Sequence, residues 1–293
     1  MKLLISTDTS CSINKEYFAP YDISLFPLNV IIDGEEFLDG VTINQEQLKD
    51  AMKANKNIKT STPPLGVIIE YFENLFKKGY EHIIHFTISS KLSSMYSLFA
   101  TVAEQNFKGK LTIIDSYTFS VPMLSYVFLA YDEAQKGTSP EDIVKLVEEA
   151  KPKTRMLFIP ENLTALKKGG RISPAIALIG NTLGLTPIIN LEDGQLEKGE
   201  MTRKIRKSLI EKVDSYLPEF PIEEYDYSLV SFFAKERVYD HVYEYVYNKL
   251  NGYEMIKGGI PINLCAHCGP GTISLAVTPK INGKSLNTFL TVK

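Results

Sequence analysis

His82-Ile83-Ile84-His85-Phe86-Thr87-Ile88-Ser89-Ser90-Lys91-Leu92-Ser93-Ser94 decides the fold. A short apolar run is followed at once by a loop rich in hydroxyls, and the loop opens a helix-period stretch over Ser94–Asn106. Strand, loop and helix in that order form the unit from which parallel sheets are built. The unit recurs along the first half. Strands are predicted at Lys2–Ser6, Ile23–Ile32, His82–Thr87, Leu111–Asp115 and Arg155–Pro160. Helices are predicted between them at Gln45–Lys53, Gly66–Lys78, Met123–Lys136 and Pro140–Ala150. Ser139-Pro140-Glu141 supplies an N-cap, a first-position Pro and a first-turn acid for the last of these. The expected architecture is α/β, a parallel sheet covered by helices on both faces.

Past residue 160 the rhythm changes. Leu185–Asn190 and Gln195–Thr202 flank Glu192-Asp193-Gly194, and Asp-Gly between strand-like runs marks a hairpin. Helices over Lys204–Tyr216 and Glu236–Leu250 and strands at Ser228–Phe232, Ile260–Cys265 and Ser274–Val277 complete an α+β unit with a mixed sheet. The expected division is residues 1–157, residues 158–281 and a loose tail over 282–293. A length of 293 residues suits two domains of roughly 150 each.

Composition narrows the function. The chain carries 32 Lys+Arg and 35 Asp+Glu, a formal charge of -3. That balance leaves no electrostatic footprint for nucleic acid or an anionic membrane. Three cysteines are too few for a secreted disulfide framework. The uncharged stretches Ile172–Leu191 and Gly258–Pro279 have the length of a membrane span, but Pro, Gly and polar groups interrupt both. The reading is a reduced, cytoplasmic protein without stable membrane insertion.

Three segments could carry chemistry. Lys59-Thr60-Ser61-Thr62-Pro63-Pro64 and Ser89-Ser90-Lys91-Leu92-Ser93-Ser94 each precede a helix, where free N–H groups and hydroxyls can cradle an anion. For either loop on its own, ordinary capping by Ser and Thr is the favoured reading. Lys167-Lys168-Gly169-Gly170-Arg171 reads as a basic turn, either an anion-holding loop or a plain helix end with Lys complementing its dipole. The uncharged stretch after it could wall a lipid tail. Each buried methylene is worth about 0.8 kcal/mol, so a sixteen-carbon tail has a gross drive of about 10 kcal/mol.

Cys265-Ala266-His267-Cys268-Gly269-Pro270-Gly271 admits a zinc site, a dithiol redox pair or a hydrogen-bonding His267 beside a ligand. Zinc needs four ligands, and no second Cys/His pair stands elsewhere in the chain. A redox or small-molecule-modifying enzyme built on Cys265, His267 and Cys268 stays open beside a plain buried pair of thiols. No phosphate loop and no nucleophile elbow occurs.

Taken together these segments resemble the DegV family of fatty-acid-binding proteins. The matching pieces are Ser6-Thr7-Asp8-Thr9, Thr60-Ser61-Thr62-Pro63, Ile88-Ser89-Ser90-Lys91-Leu92-Ser93, Ile114-Asp115-Ser116, the run Leu166–Ser173 and His267-Cys268-Gly269-Pro270-Gly271. The resemblance implies two domains with one long-chain, palmitate-like fatty acid between them and no other cofactor. It implies a carboxylate held by hydroxyls at Thr60 and Ser93, with Ser61 in the same loop. His267, Arg203 and the Gly169-Gly170-Arg171 turn would lie close by. It also implies a lipid carrier in fatty-acid transport or metabolism rather than an enzyme. Some family members present the acid to the kinase subunit of a bacterial fatty-acid kinase.

The sequence departs from the family pattern in several places. Pro64 stands where a second Ser is common, Ser94-Met95 replaces Gly-Thr, and Gly184 and Thr186 replace Asn and Lys. Phe233-Ala234-Lys235 lacks the usual His-x-Asp/Asn. Met123 is expected to shorten or reshape the tail pocket.

Overall fold

The computed structural model describes residues 2–11, 15–160, 163–170, 172, 185–234 and 236–290. Thirteen strands occur among them: β1 Leu3–Asp8, β2 Ile23–Phe26, β3 Asn29–Ile32, β4 Glu35–Leu38, β5 Ile58–Ser61, β6 His82–Thr87, β7 Leu111–Asp115, β8 Arg155–Ile159, β9 Thr186–Glu192, β10 Gln195–Thr202, β11 Tyr225–Phe232, β12 Ile256–Gly259 and β13 Thr272–Pro279. The helices are α1 Gln45–Lys53, α2 Leu65–Lys77, α3 Met95–Asn106, α4 Ser120–Gln135, α5 Pro140–Ala150, α6 Thr164–Gly169, α7 Ile205–Tyr216, α8 Glu236–Lys249, α9 Ile262–Cys268 and α10 Asn287–Leu290.

Three sheets result. The first is wholly parallel, in the order β2-β1-β6-β7. Every residue of β6 is buried, as a strand covered by helices on both faces must be. The second sheet has six strands in the order β10-β9-β8-β13-β11-β12, antiparallel except for the β11–β12 pair. A small antiparallel sheet, β4-β3-β5, carries the Thr60 segment. The fold is the α/β architecture read from the sequence, with a parallel sheet and a separate mixed one.

Helix α4 joins the two large sheets. Ser120 through Phe128 are all buried, so the helix has no solvent face over that length and packs on both β1 and β13. A contact between Ser125 Oγ and Thr278 Oγ1 at 3.2 Å marks the second interface. Helix α5 begins as the Ser139-Pro140 signal predicts, with Ser139 Oγ accepting the Asp142 N–H. The Asp193-Gly194 turn also holds: both residues have positive φ, 47° and 81°, as a two-residue hairpin requires.

Three expectations fail locally. Ile23–Ile32 is not one strand, because Pro27 cannot donate to a ladder and the chain passes from the parallel sheet to the small one there. Ile260–Cys265 is not a strand either. Strand β12 ends at Gly259, and Pro261, with φ -50°, sets the dihedral for α9. Residues 282–290 are not a loose tail, and 291–293 lie outside the described residues. Leu286 is fully buried, its N–H donates to Asp226 at 2.7 Å, and the Phe289 ring sits 5.3 Å from that of Phe128.

The tip of the β9–β10 hairpin touches the serine loop after β6. Ser89 Oγ donates to the Gly194 carbonyl at 2.6 Å. A Cβ on Gly194 would lie 2.6 Å from Ser89 Oγ and 3.3 Å from Tyr117 Cα. Gly194→Ala is therefore expected to lower stability by at least about 1–2 kcal/mol, the ordinary penalty of a left-handed L-residue. Urea unfolding with an unshifted midpoint would refute this.

Candidate functional site

Two carboxylates pin the loop that carries Ser93. Asp8, at the end of β1, accepts the Ile88 N–H at 3.0 Å, and Asp115, at the end of β7, accepts the Ser90 N–H at 3.0 Å. Ser93 Oγ accepts the Met95 N–H at 3.3 Å as α3 begins, and Ser94 makes no side-chain cap bond. The Ser93 hydroxyl proton has no acceptor among the described residues.

Thr60 reaches the same place from another sheet. It pairs with Val30 in register on β3, so Thr60 and Ser61 are the last residues of a strand rather than a free loop. Thr60 Oγ1 lies 2.9 Å from His267 Nε2 on α9. The Ser61 hydroxyl oxygen is buried without a hydrogen-bond partner among the described residues.

These groups surround one cavity of about 1020 Å³, counted out to its open mouth. Thr60, Ser61, Ser93 and His267 all line it. Most of the remaining wall is apolar: Ile88 and Phe119, from the loops after β6 and β7, on one side, and Met156, Phe158, Leu196 and Val230, from strands of the six-stranded sheet, on the other. Ser120 also lines it, held at φ 56°, a conformation uncommon for a non-glycine residue. The geometry is that of a pocket with hydroxyl and imidazole groups clustered among greasy walls.

The remaining predicted positions separate from it. Arg203 is exposed and does not line the cavity. Gly170, with φ 65°, caps α6 through its N–H to the Lys167 carbonyl and does not line the cavity. The Gly169-Gly170 segment thus follows the helix-end reading. Arg171 and Gly184 lie outside the described residues. Met123 does not reshape the pocket wall. It is fully buried against the Ser10 hydroxyl, 3.4 Å from its sulfur.

Cys11, Cys265 and Cys268 are all buried and reduced. Burial pushes the Cys265 thiol well above its ordinary pKa, and it donates to the Ile260 carbonyl at 3.1 Å. A thiol kept protonated in this way is a poor nucleophile. Among the described residues no cluster of three potential ligands could hold a metal ion, and no helix is long and apolar enough to cross a membrane.

Sequence reasoning missed Asp39 and Asn263. Asp39 lies just past β4, 1 % exposed, and Asn263 opens α9 at 5 %. No local pattern marked either residue, because they meet only through tertiary packing.

The family model described as "Uncharacterised protein, DegV family" matches residues 2–280. The chain belongs to the DegV family. A DegV domain-containing protein of Staphylococcus aureus (strain N315) is 31 % identical over 284 residues, 95 % of this chain and 99 % of that one. A fatty-acid-binding DegV family protein of Streptococcus agalactiae superposes with a TM-score of 0.85 at 25 % identity, covering 96 % of this chain and 99 % of its own. The fatty-acid-binding DegV of Bacillus subtilis gives a TM-score of 0.82 at 25 % identity, over 96 % and 100 % of the two chains. DegV relatives thus share the two-sheet arrangement described above.

Proposed function

We propose that this DegV protein binds one long-chain fatty acid in the cavity between its two large sheets. The carboxylate is held by the hydroxyls of Thr60 and Ser93, and the acyl chain runs among the apolar side chains. The observation that carries the reading is the convergence of Thr60, on β5 of the small sheet, and Ser93, on the loop after β6 and 33 residues away in sequence, on one greasy cavity. Fatty-acid binding by the Streptococcus and Bacillus relatives supports it.

The head-group chemistry follows from the donors present. With His267 Nε2–H donating to Thr60 Oγ1, the threonine proton points outward to a carboxylate oxygen. Ser93 can donate to the other oxygen. Hydrogen bonds to an ionised acceptor are about twice as strong as neutral ones. Ser61, with its unpartnered hydroxyl, adjoins the same oxygens. Among the described residues the set supplies a grip for an acid, which suits a carrier. On the family resemblance, such a carrier would offer its cargo to a partner kinase. On a division into residues 1–157 and 158–281, the ligand would sit between the two units.

Mass spectrometry of an organic extract from freshly purified protein tests this directly. A C14–C18 acid at about one per chain is the expected result, on the stoichiometry of a single enclosed site. Protein that purifies empty and takes up no added palmitate would refute the proposal.

A further inference from the structure

Asp39 fastens a helix from the second half of the chain onto the first. Its Oδ2 accepts the backbone N–H of Asn263, in the first turn of α9, at 3.1 Å. Asn263 Nδ2 points to Thr9 Oγ1 at 3.4 Å, and that oxygen also accepts the Leu28 N–H at 3.1 Å. The Thr9 hydroxyl is drawn to the Asp39 carboxyl. Two oxygens in this cluster are buried and have no hydrogen-bond partner among the described residues: Asp39 Oδ1 and Asn263 Oδ1. A carboxylate oxygen and an amide carbonyl are both acceptors, and burying each without a hydrogen-bond donor is costly. A single proton on Asp39 Oδ1 would satisfy both.

The surroundings favour that proton. The titratable groups facing Asp39 are Asp8 from β1, Cys11 from the turn after it and Cys265 from α9 itself. None is cationic, and among the described residues no Lys, Arg or His pairs with Asp39. Burial, aided by the charge of Asp8, pushes its pKa from 3.8 up to about 7.

We propose that Asp39 is a carboxylic acid in the folded protein, that its Oδ1–H donates to Asn263 Oδ1, and that this acid–amide pair is the positioning element seating α9, and with it His267, against Thr60. Asn263 and His267 are four residues apart and so share one face of the helix. Losing the proton leaves two unpartnered acceptors under α9 and loosens the wall that carries His267. The link to lipid binding rests on the function proposed above; the protonation of Asp39 does not.

The sign of the pH effect follows from the raised pKa. Below about 4 the group is protonated whether the chain is folded or not. As pH rises to about 7 the unfolded chain loses the proton first, so this contribution to stability declines and is gone above about 7. His82 and His85, whose pKa values burial lowers, act in the opposite sense below about 6.5. Asp8, which burial raises to about 6, acts in the same sense as Asp39 and interacts with it, so the difference between wild type and Asp39→Asn reads Asp39 together with its coupling to Asp8.

The experiment reads the Asp39 13Cγ shift from pH 5 to 9 and palmitate affinity in wild type, Asp39→Asn and Asp39→Ala. The expected carboxyl is neutral at pH 6. Wild-type affinity should fall on the order of tenfold by pH 8.5, the effect of one buried hydrogen bond. Asp39→Asn, whose amide supplies the same donor and acceptor, should keep the pH 6 affinity and be flat relative to wild type. Asp39→Ala should bind on the order of tenfold more weakly at every pH. A carboxylate already ionised at pH 6, with the Asn263 amide turned over to donate to it, would overturn the proposal. So would an Asn variant no better than the Ala variant. If wild type binds no palmitate, the fatty-acid reading fails while the 13Cγ shift still decides the protonation of Asp39. If the Ala variant does not fold, the Asn variant and the shift suffice.

Discussion

Thr60→Val and Ser93→Ala will each weaken palmitate binding by about 1–3 kcal/mol, the range for a hydrogen bond to a charged group in a dry site. Valine keeps the shape of Thr60 and removes the oxygen that meets His267 at 2.9 Å, so the loss isolates the hydroxyl. The two effects will not add, because both hydroxyls grip one carboxylate and the remaining donor can shift toward it. Calorimetric titration of the defatted protein reads the result. Unchanged affinity in the double variant would remove Thr60 and Ser93 from the head-group site. A fatty alcohol of equal chain length should lose less on mutation, since it offers no charge to hold.

Phe99→Ala carries the largest expected loss of stability, about 3–5 kcal/mol for an aromatic removed from a packed interior. Phe99 is fully buried on α3 and stacks on His85 with centroids 4.5 Å apart and planes 4° from parallel. It also meets the edges of Phe26 at 5.3 Å and Phe72 at 5.8 Å. His85 is neutral in this setting, because burial pushes its pKa down to about 3. Its Nδ1 lies 2.9 Å from Ser6 Oγ, which continues to Tyr71 at 2.8 Å. Emptying the Phe99 site strips the packing from that buried polar chain. Equilibrium urea unfolding should show the drop, and a change under about 1 kcal/mol would mean the surroundings collapse into the gap.

What the sequence disclosed follows from how local each signal is. Ser139-Pro140 and Asp193-Gly194 specify backbone conformations within a few residues, so the α5 start and the hairpin turn appear where expected. The β6 run is rich in Ile and Phe and every residue of it is buried, His82, His85 and Thr87 included, as in a strand covered on both faces. Ile23–Ile32 misled because one apolar run serves two sheets, and only Pro27 hinted at the break. Ile260–Cys265 is short and apolar, the case in which periodicity cannot tell strand from helix, and Pro261 settles it. At the site, Thr60, Ser61, Ser93 and His267 were legible through family resemblance and converge on one cavity. Arg203 was named on the same grounds but is exposed, away from the cavity wall. Asp39 and Asn263 were invisible, since 224 residues separate them and neither stands in a motif.

The bond between Ser89 and the tip of the β9–β10 hairpin bears on how quickly cargo could change hands. A burrow hollowed out of a single sheet empties only through its entrance. One whose sides belong to separate sheets can also be unroofed by drawing them apart, and a clasp such as Ser89–Gly194 helps set how often that happens. Dwell time and grip then become separately adjustable: hydroxyls at the head fix how tightly an acid sits, while a fastening on the hairpin governs how soon it leaves.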